Sequence, residues 1–306
     1  MTPKLTQWLA AALVASLGSS AAAFCRATTC NRADPDAGCT PTGCEVTGKA
    51  LFWRNQCISF AVQRGGSPKL GISAASLRTE LERAFASWSL ASCPGGGELS
   101  ISLGYIGEVE CHQVEYNAQR ANANIVMFED ESWPYEGGID TLATTRLRFN
   151  PDTGEIYDAD IQINSAEYDI SVGDPISGVD LESILAHEAG HFLALDHSTA
   201  EGATMQPGHD ARDALLRSLE ADDVRGVCAI YPPSRTASED SCEPRNGFSS
   251  LCGDEQPPRP DSGGGCALAA ERDARRGGQS AHGALAVAVM LGLLRRRRRT
   301  RRHSAG

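Results

Sequence analysis

Apolar positions along the chain follow two rhythms. Leu51-Phe52-Trp53, Ile58 to Val62, Leu99 to Tyr105, Asn124 to Phe128, Thr145 to Phe149 and Glu155 to Ile163 are short apolar runs of strand length. The last two flank Asn150-Pro151-Asp152-Thr153-Gly154, where proline presets a turn and glycine can close it. Leu77, Leu81, Phe85 and Trp88 instead recur every three to four residues, which predicts a helix with one buried face and Ser73 as its N-cap. A second helix is expected behind Asp180, from Leu181 to about Leu195. A third is expected from near Ser218, with Glu220, Asp222 and Asp223 in the first turn, where the helix dipole favours anions, and with Val224, Val227 and Tyr231 on one face. These elements predict an α+β domain, a twisted mixed sheet of about five strands packed on helices.

The two ends of the chain have a different character. Residues 1–23 carry Lys4, an apolar run from Trp8 to Leu17 and then Ser19-Ser20-Ala21-Ala22-Ala23. That order reads as a signal peptide cut near Ala23, and about ten apolar residues fall short of the roughly 20 that span a bilayer. Residues 24–48 hold short-spaced cysteines among Asp, Pro, Thr and Gly, and read as a Cys-rich extension before the main domain at 49–233. Residues 234–265, rich in Pro, Gly and Ser, read as a linker holding a Cys242–Cys252 loop. Eleven cysteines in an exported chain imply disulfides, and the short separations favour Cys93–Cys111 and Cys242–Cys252 as local pairs. At the C-terminus, Gly263-Gly264-Gly265-Cys266 precedes a polar spacer, the apolar stretch Gly283 to Leu294, and seven arginines between Arg295 and Arg302. This order resembles the C-terminal sorting tags of myxobacterial surface proteins. The resemblance implies that residues 266–306 make a transient membrane association, with the arginines on the cytoplasmic side, and deliver the protein to the cell surface or the extracellular side of the outer membrane.

Charge narrows the partners. The net −11 includes nine positive charges from Lys4, the seven terminal arginines and the net +1 of residues 266–294, so residues 24–265 carry −20. An acidic body of this kind argues against nucleic acid, whose phosphates need a basic surface. Protein or peptide partners remain, for a chain expected to act as a monomer.

The chemistry concentrates in His187-Glu188-Ala189-Gly190-His191-Phe192-Leu193-Ala194-Leu195-Asp196-His197. Residues four apart share a helix face, so His187 and His191 can bind one cation while Glu188 projects toward a water on it. A third ligand six residues on, His197, requires the chain to turn after about residue 194. Three neutral imidazoles with an open fourth position describe a catalytic zinc rather than a closed structural one, and Glu188 is placed as general base.

This segment resembles the metzincin signature, and most closely its matrixin branch, the matrix metalloproteinase-like peptidases. His197 is followed by Ser198, and Met205 stands eight residues after the third histidine in Ala203-Thr204-Met205-Gln206-Pro207. Residues Glu220 to Tyr231 are similar to the family's last helix. The resemblance implies a metzincin-type catalytic domain with zinc in a cleft, Met205 as a floor beneath the metal, and Pro207 and His209 in the wall of the specificity pocket. It also implies an exported zinc endopeptidase with one catalytic zinc. The alternative is an exported binding protein that keeps the fold with little or no turnover; retention of Glu188 favours the enzyme.

Three departures from the family carry consequences. Ala194 stands where glycine is usual, and glycine lets a helix end in a left-handed conformation. Only His112 and His209 remain of the histidines that hold a second, structural zinc in animal matrixins, so that ion is expected to be absent. No propeptide of the family's length separates Ala23 from the domain. Asp152, Asp158, Asp160, Asp169 and Asp174 are either calcium ligands or turn residues on a solvated acidic face.

Overall fold

A computed structural model describes residues 23–30, 39, 44, 47–135, 141–208, 214–237, 241–251 and the strand at 284–290. Its strands are β1 (Cys25–Arg26), β2 (Cys57–Gln63), β3 (Ser102–Val109), β4 (Ile125–Phe128), β5 (Thr141–Phe149), β6 (Ile156–Ile163), β7 (Ile170–Ser171), β8 (Val179–Asp180), β9 (Leu195–Asp196) and β10 (Ala284–Met290). The helices are α1 (Ala74–Ser89), α2 (Leu181–Phe192) and α3 (Ala221–Ile230), with a short 3-10 turn at Ala214–Arg217. The main sheet runs β10-β5-β6-β4-β2-β3; β3, β2, β4 and β6 are mutually parallel, and β5 and β10 are antiparallel to their neighbours.

Alternation along the strands decides which face meets the helices. Ile58, Phe60 and Val62 of β2, Val126 and Phe128 of β4, and Ala159, Ile161 and Ile163 of β6 join one core with Leu77, Leu81, Phe85 and Trp88 of α1. Ser73 caps α1 by accepting from the Ser76 backbone N–H, as its position predicts. Helix α3 starts at Ala221 rather than near Ser218, because the Asp223 carboxylate accepts from the Glu220 N–H at 2.9 Å and closes a capping box there.

Several expectations are corrected. Leu51-Phe52-Trp53 forms only single bridges, Phe52 with Glu155 and neighbouring Ala50 with Thr28, rather than a strand. β3 lies three residues later than the apolar run suggested, because Leu99 and Ile101 turn into the core before the ladder begins at Ser102. Neither local disulfide forms. Cys93 pairs with Cys228 on α3 and Cys242 with Cys57 on β2, closing separations of 135 and 185 residues, while Cys25–Cys44 and Cys30–Cys39 staple the N-terminal extension. Proximity in sequence misled because the chain brings distant ends together, and a long-loop staple removes more unfolded-state entropy, about 4–5 kcal/mol in the loop-closure picture. Residues 241–251 are not a free linker either: Phe248 packs on Ile125, Met127 and their neighbours on the far side of the sheet, and Glu110 N–H donates to the Ser250 carbonyl. Residues 1–22 and 252–283 lie outside the described residues. Of the apolar stretch Gly283 to Leu294, Ala284–Met290 pairs with β5 as a strand; among the described residues no helix is long and apolar enough to cross a membrane.

The five aspartates do not assemble. Asp152, Asp169 and Asp174 are exposed, whereas Asp158 and Asp160 are buried together on the far face of the sheet. Burial raises both carboxyls above the usual range, and a hydrogen bond between them leaves Asp158 as the protonated partner. Asp160 accepts from the Ile125 and Glu115 backbone N–H groups at 2.9 and 3.2 Å, which favours its charged form. Unfolded, both would ionise near 3.8, so the folded chain holds an extra proton between that value and the raised one, and stability must fall as pH rises through the interval. Asp158→Asn keeps a donor and removes one of the two raised carboxyls. Its melting temperature should therefore fall less than the wild type's between about pH 5 and 8; parallel profiles would show that no proton is shared.

Candidate metal centre

Helix α2 is buried along almost its whole length, including the polar side chains of His187, Glu188 and His191. Its first turn is fixed by Asp180, which accepts from the Ser183 N–H at 3.0 Å and is gripped by Arg217 at 2.7 and 2.8 Å. The helix stops at Phe192, three residues earlier than expected. Ala194 then adopts φ 70°, and Leu195–Asp196 pairs with Cys25–Arg26. The N-terminal extension thus braces the turn that carries His197 back to the other two histidines.

Alanine takes the left-handed conformation that glycine usually supplies here. The conformation costs about 1–2 kcal/mol. Glycine would remove that cost but lose a fully buried methyl, about 0.8 kcal/mol, and add roughly 0.5–1 kcal/mol of unfolded-chain entropy. The terms nearly cancel, so alanine is tolerated at this turn.

The three imidazoles converge. Ring centroids are 4.8, 5.2 and 4.9 Å apart for His187–His191, His187–His197 and His191–His197, and one ligand atom from each lies within 4.8 Å of the others. Among the described residues this is the only group of three or more His, Cys, Asp or Glu side chains so placed. His187 Nδ1 lies 2.6 Å from the Thr204 carbonyl and His191 Nδ1 2.9 Å from the Leu195 carbonyl. A carbonyl only accepts, so each ring carries its proton on Nδ1 and turns the Nε2 lone pair inward. Those two Nε2 atoms face each other at 3.1 Å. Lone pairs at that range repel unless a cation lies between them, and tetrahedral zinc with bonds of about 2.1 Å would hold its nitrogens about 3.4 Å apart. The donor set therefore fits zinc.

Glu188 lies beside the rings with no exposed surface. Thr145 Oγ1, from β5, donates to its Oε2 at 2.5 Å, while Oε1 is buried with no hydrogen-bond partner in the protein. Burial raises this carboxyl to about 8, against the lowering effect of the Thr145 hydroxyl. A carboxylate oxygen left bare beside a set of cation ligands is suited to a water between them.

Met205 packs against Gly190 of α2, 1% exposed, with its backbone N–H donating to Asp223 and its carbonyl accepting from Ser198 N–H. Gly190 makes this approach possible: a Cβ there would collide with Met205 Sδ and lie 2.9 Å from Trp88 Cζ2. Pro207 is exposed just beyond, and His209 lies outside the described residues. His112 is apart from the cluster, with Nε2 3.2 Å from the Phe128 carbonyl. Sequence reasoning missed Thr145, Trp88 and the two aspartates of α3. Asp223 accepts from the Thr204 and Met205 N–H groups, and Asp222 accepts from Ser198 Oγ at 2.7 Å and from the Ala23 N–H at 3.1 Å. The acidic pair in the last helix was read as a dipole cap; its adjacency to the methionine segment had no signature in spacing.

Comparison with known proteins bears on this centre. Residues 52–232 match the family model described as Matrixin. The chain is 28% identical to Metalloendoproteinase 1-MMP of Arabidopsis thaliana over 202 residues, covering 62% of this chain and 49% of that protein. It is 26% identical to human neutrophil collagenase over 224 residues, covering 71% of this chain and 42% of the relative, and 35% identical to human matrix metalloproteinase-20 over 105 residues, covering 34% and 20%. The chain thus spans about half the length of the plant relative and less of the human ones. Because the Matrixin match covers more than half of the 306 residues and includes all three histidines and Met205, the protein belongs to the matrixin family.

Proposed function

We propose that this chain is an exported zinc-dependent endopeptidase in which His187, His191 and His197 hold the metal and Glu188 is the general base. The observation that carries the reading is the pair of inward Nε2 lone pairs at 3.1 Å, joined by a third imidazole and flanked by a buried carboxylate oxygen without a partner. When bound, zinc supplies a Lewis acid that polarises a peptide carbonyl and acidifies a water. The protein's own groups do the rest. The Thr204 and Leu195 carbonyls fix the tautomers of two ligands, and Thr145 orients Glu188 so that its free oxygen faces the site. In the metal-free chain burial holds Glu188 at about 8, and a nearby cation favours the ionised form, ready to take a proton at neutral pH and pass it to the leaving amine.

Matrixin relatives and the stapled cysteines support export, and residues 1–23 fit a signal peptide. The order Gly-Cys, apolar stretch, arginine cluster supports surface delivery through a C-terminal sorting tag, with transient membrane association. Pro207 and His209 fit a specificity-pocket wall by the resemblance alone. Calcium has no comparable support, since the five candidate aspartates are scattered between surface and sheet.

The purified chain should bind one zinc, and o-phenanthroline should abolish hydrolysis of a mixed peptide library; full activity in a metal-free preparation would sink the assignment. Glu188→Ala should keep its zinc and fold while losing at least about a hundredfold in rate, the scale of a positioned general base. Near-normal turnover by that variant would move the role elsewhere, whereas an unmutated, zinc-loaded chain that held peptides without cutting them would favour the binding-protein alternative. Intact mass and cell fractionation address the tag: native protein should be surface-held and lack the segment from Gly283 onward, whereas a soluble periplasmic species ending at Gly306 would refute it.

A further inference from the structure

The sheet edge beside the metal centre is covered by the chain itself. β10 lies antiparallel on β5, with Leu285 opposite Leu147, Val287 opposite Thr145 and Met290 opposite Thr141. Thr145 is the residue whose hydroxyl holds Glu188, so the Val287 backbone passes the sheet position nearest the general base. Without β10, β5 would be an outer strand with a row of unpaired N–H and C=O groups, the kind of surface to which extended peptides add by main-chain hydrogen bonds. A peptide must come to Glu188 extended, and this edge is the ladder within its reach.

We propose that Ala284–Met290 is an intramolecular competitor for that edge, occupying the place of a substrate main chain and keeping the domain latent until the C-terminal segment is removed. The inference rests on the peptidase reading. Three features of the chain agree with it. The segment Ala-Leu-Ala-Val-Ala-Val-Met is uncharged and free of proline, and Val287 and Val289 are β-branched. It is tethered: the 33 positions from Leu251 to Ala284 can reach at most about 110 Å, and linkage within one chain gives an effective concentration on the order of millimolar, so a weak ladder suffices. The seven arginines that follow it face a body, residues 24–265, carrying −20, so long-range attraction holds the tail near the domain. Processing at the sorting tag would detach strand and arginines together, which couples release of activity to delivery.

The test uses the full zinc-loaded chain and its Ala286→Pro/Val287→Pro variant. Neighbouring residues alternate in donating across an antiparallel ladder, so one of the two prolines must delete a ladder bond. Amide exchange across residues 141–149 and kcat/KM on quenched-fluorescent peptides are measured for both chains. The variant should exchange faster in β5, and its kcat/KM should rise at least about tenfold, chiefly through KM, because a larger fraction of molecules has the edge open. Unchanged exchange would overturn the docking, and faster exchange with unchanged kcat/KM in an active enzyme would overturn the competition. Faster exchange with no hydrolysis by either chain would uphold the docking and sink the peptidase reading instead.

Discussion

Imidazoles and a carboxylate can be kept inside a protein only if each polar atom turned away from the reaction is answered by a neighbour. That constraint organises this domain. Because His187, Glu188 and His191 are buried on α2, their outward-facing atoms need partners from elements far apart in sequence: Thr204 and Leu195 carbonyls for the rings, and the Thr145 hydroxyl from β5 for the carboxylate. Each partner must then be positioned in turn. Asp223 fixes the Thr204–Met205 backbone, and β1 fixes the Leu195 segment. The order of the site is therefore inherited from a polar network, with the apolar core holding the network's anchors apart at set distances.

The staples act on those anchors. Cys93–Cys228 joins the loop after α1 to α3, whose aspartates hold the methionine segment, and Cys25–Cys44 secures the extension that braces the turn to His197. Neither bond touches the ligands. Both limit how far the elements behind them can drift. Residues 241–251, tied to β2 through Cys57–Cys242, cover the opposite face of the sheet and shield Ile125 and Met127 from water.

What the sequence made legible was what short-range physics determines. Ser73 and Asp180 announced their helices because an N-cap acts within three residues, and His187 and His191 announced a shared face because helical spacing is fixed. Ala194 was legible as a problem, and the structure solves it in the way glycine would, at φ 70°. The failures were long-range. Cysteine pairing was guessed from proximity and is set by topology, β3 was displaced because an apolar run marks burial rather than a ladder, and Thr145 was invisible because nothing in a strand's alternation says which inward residue will meet a carboxylate. Asp158 and Asp160 looked like part of an acidic surface or cation site, where the structure buries both carboxyls behind the sheet.

Gly190 has no side chain with which to reach the three clustered histidines, yet Trp88, this glycine and Met205 stack in close contact. Trp88 is itself pinned, its ring nitrogen donating to the Ala186 carbonyl at 2.8 Å. The glycine therefore works as a gauge block that sets how closely the methionine segment approaches α2. A single added methyl would collide with Met205 Sδ and crowd the Trp88 ring, so the methionine side chain, the indole or the helix would have to give way beside the Thr204 carbonyl that holds His187.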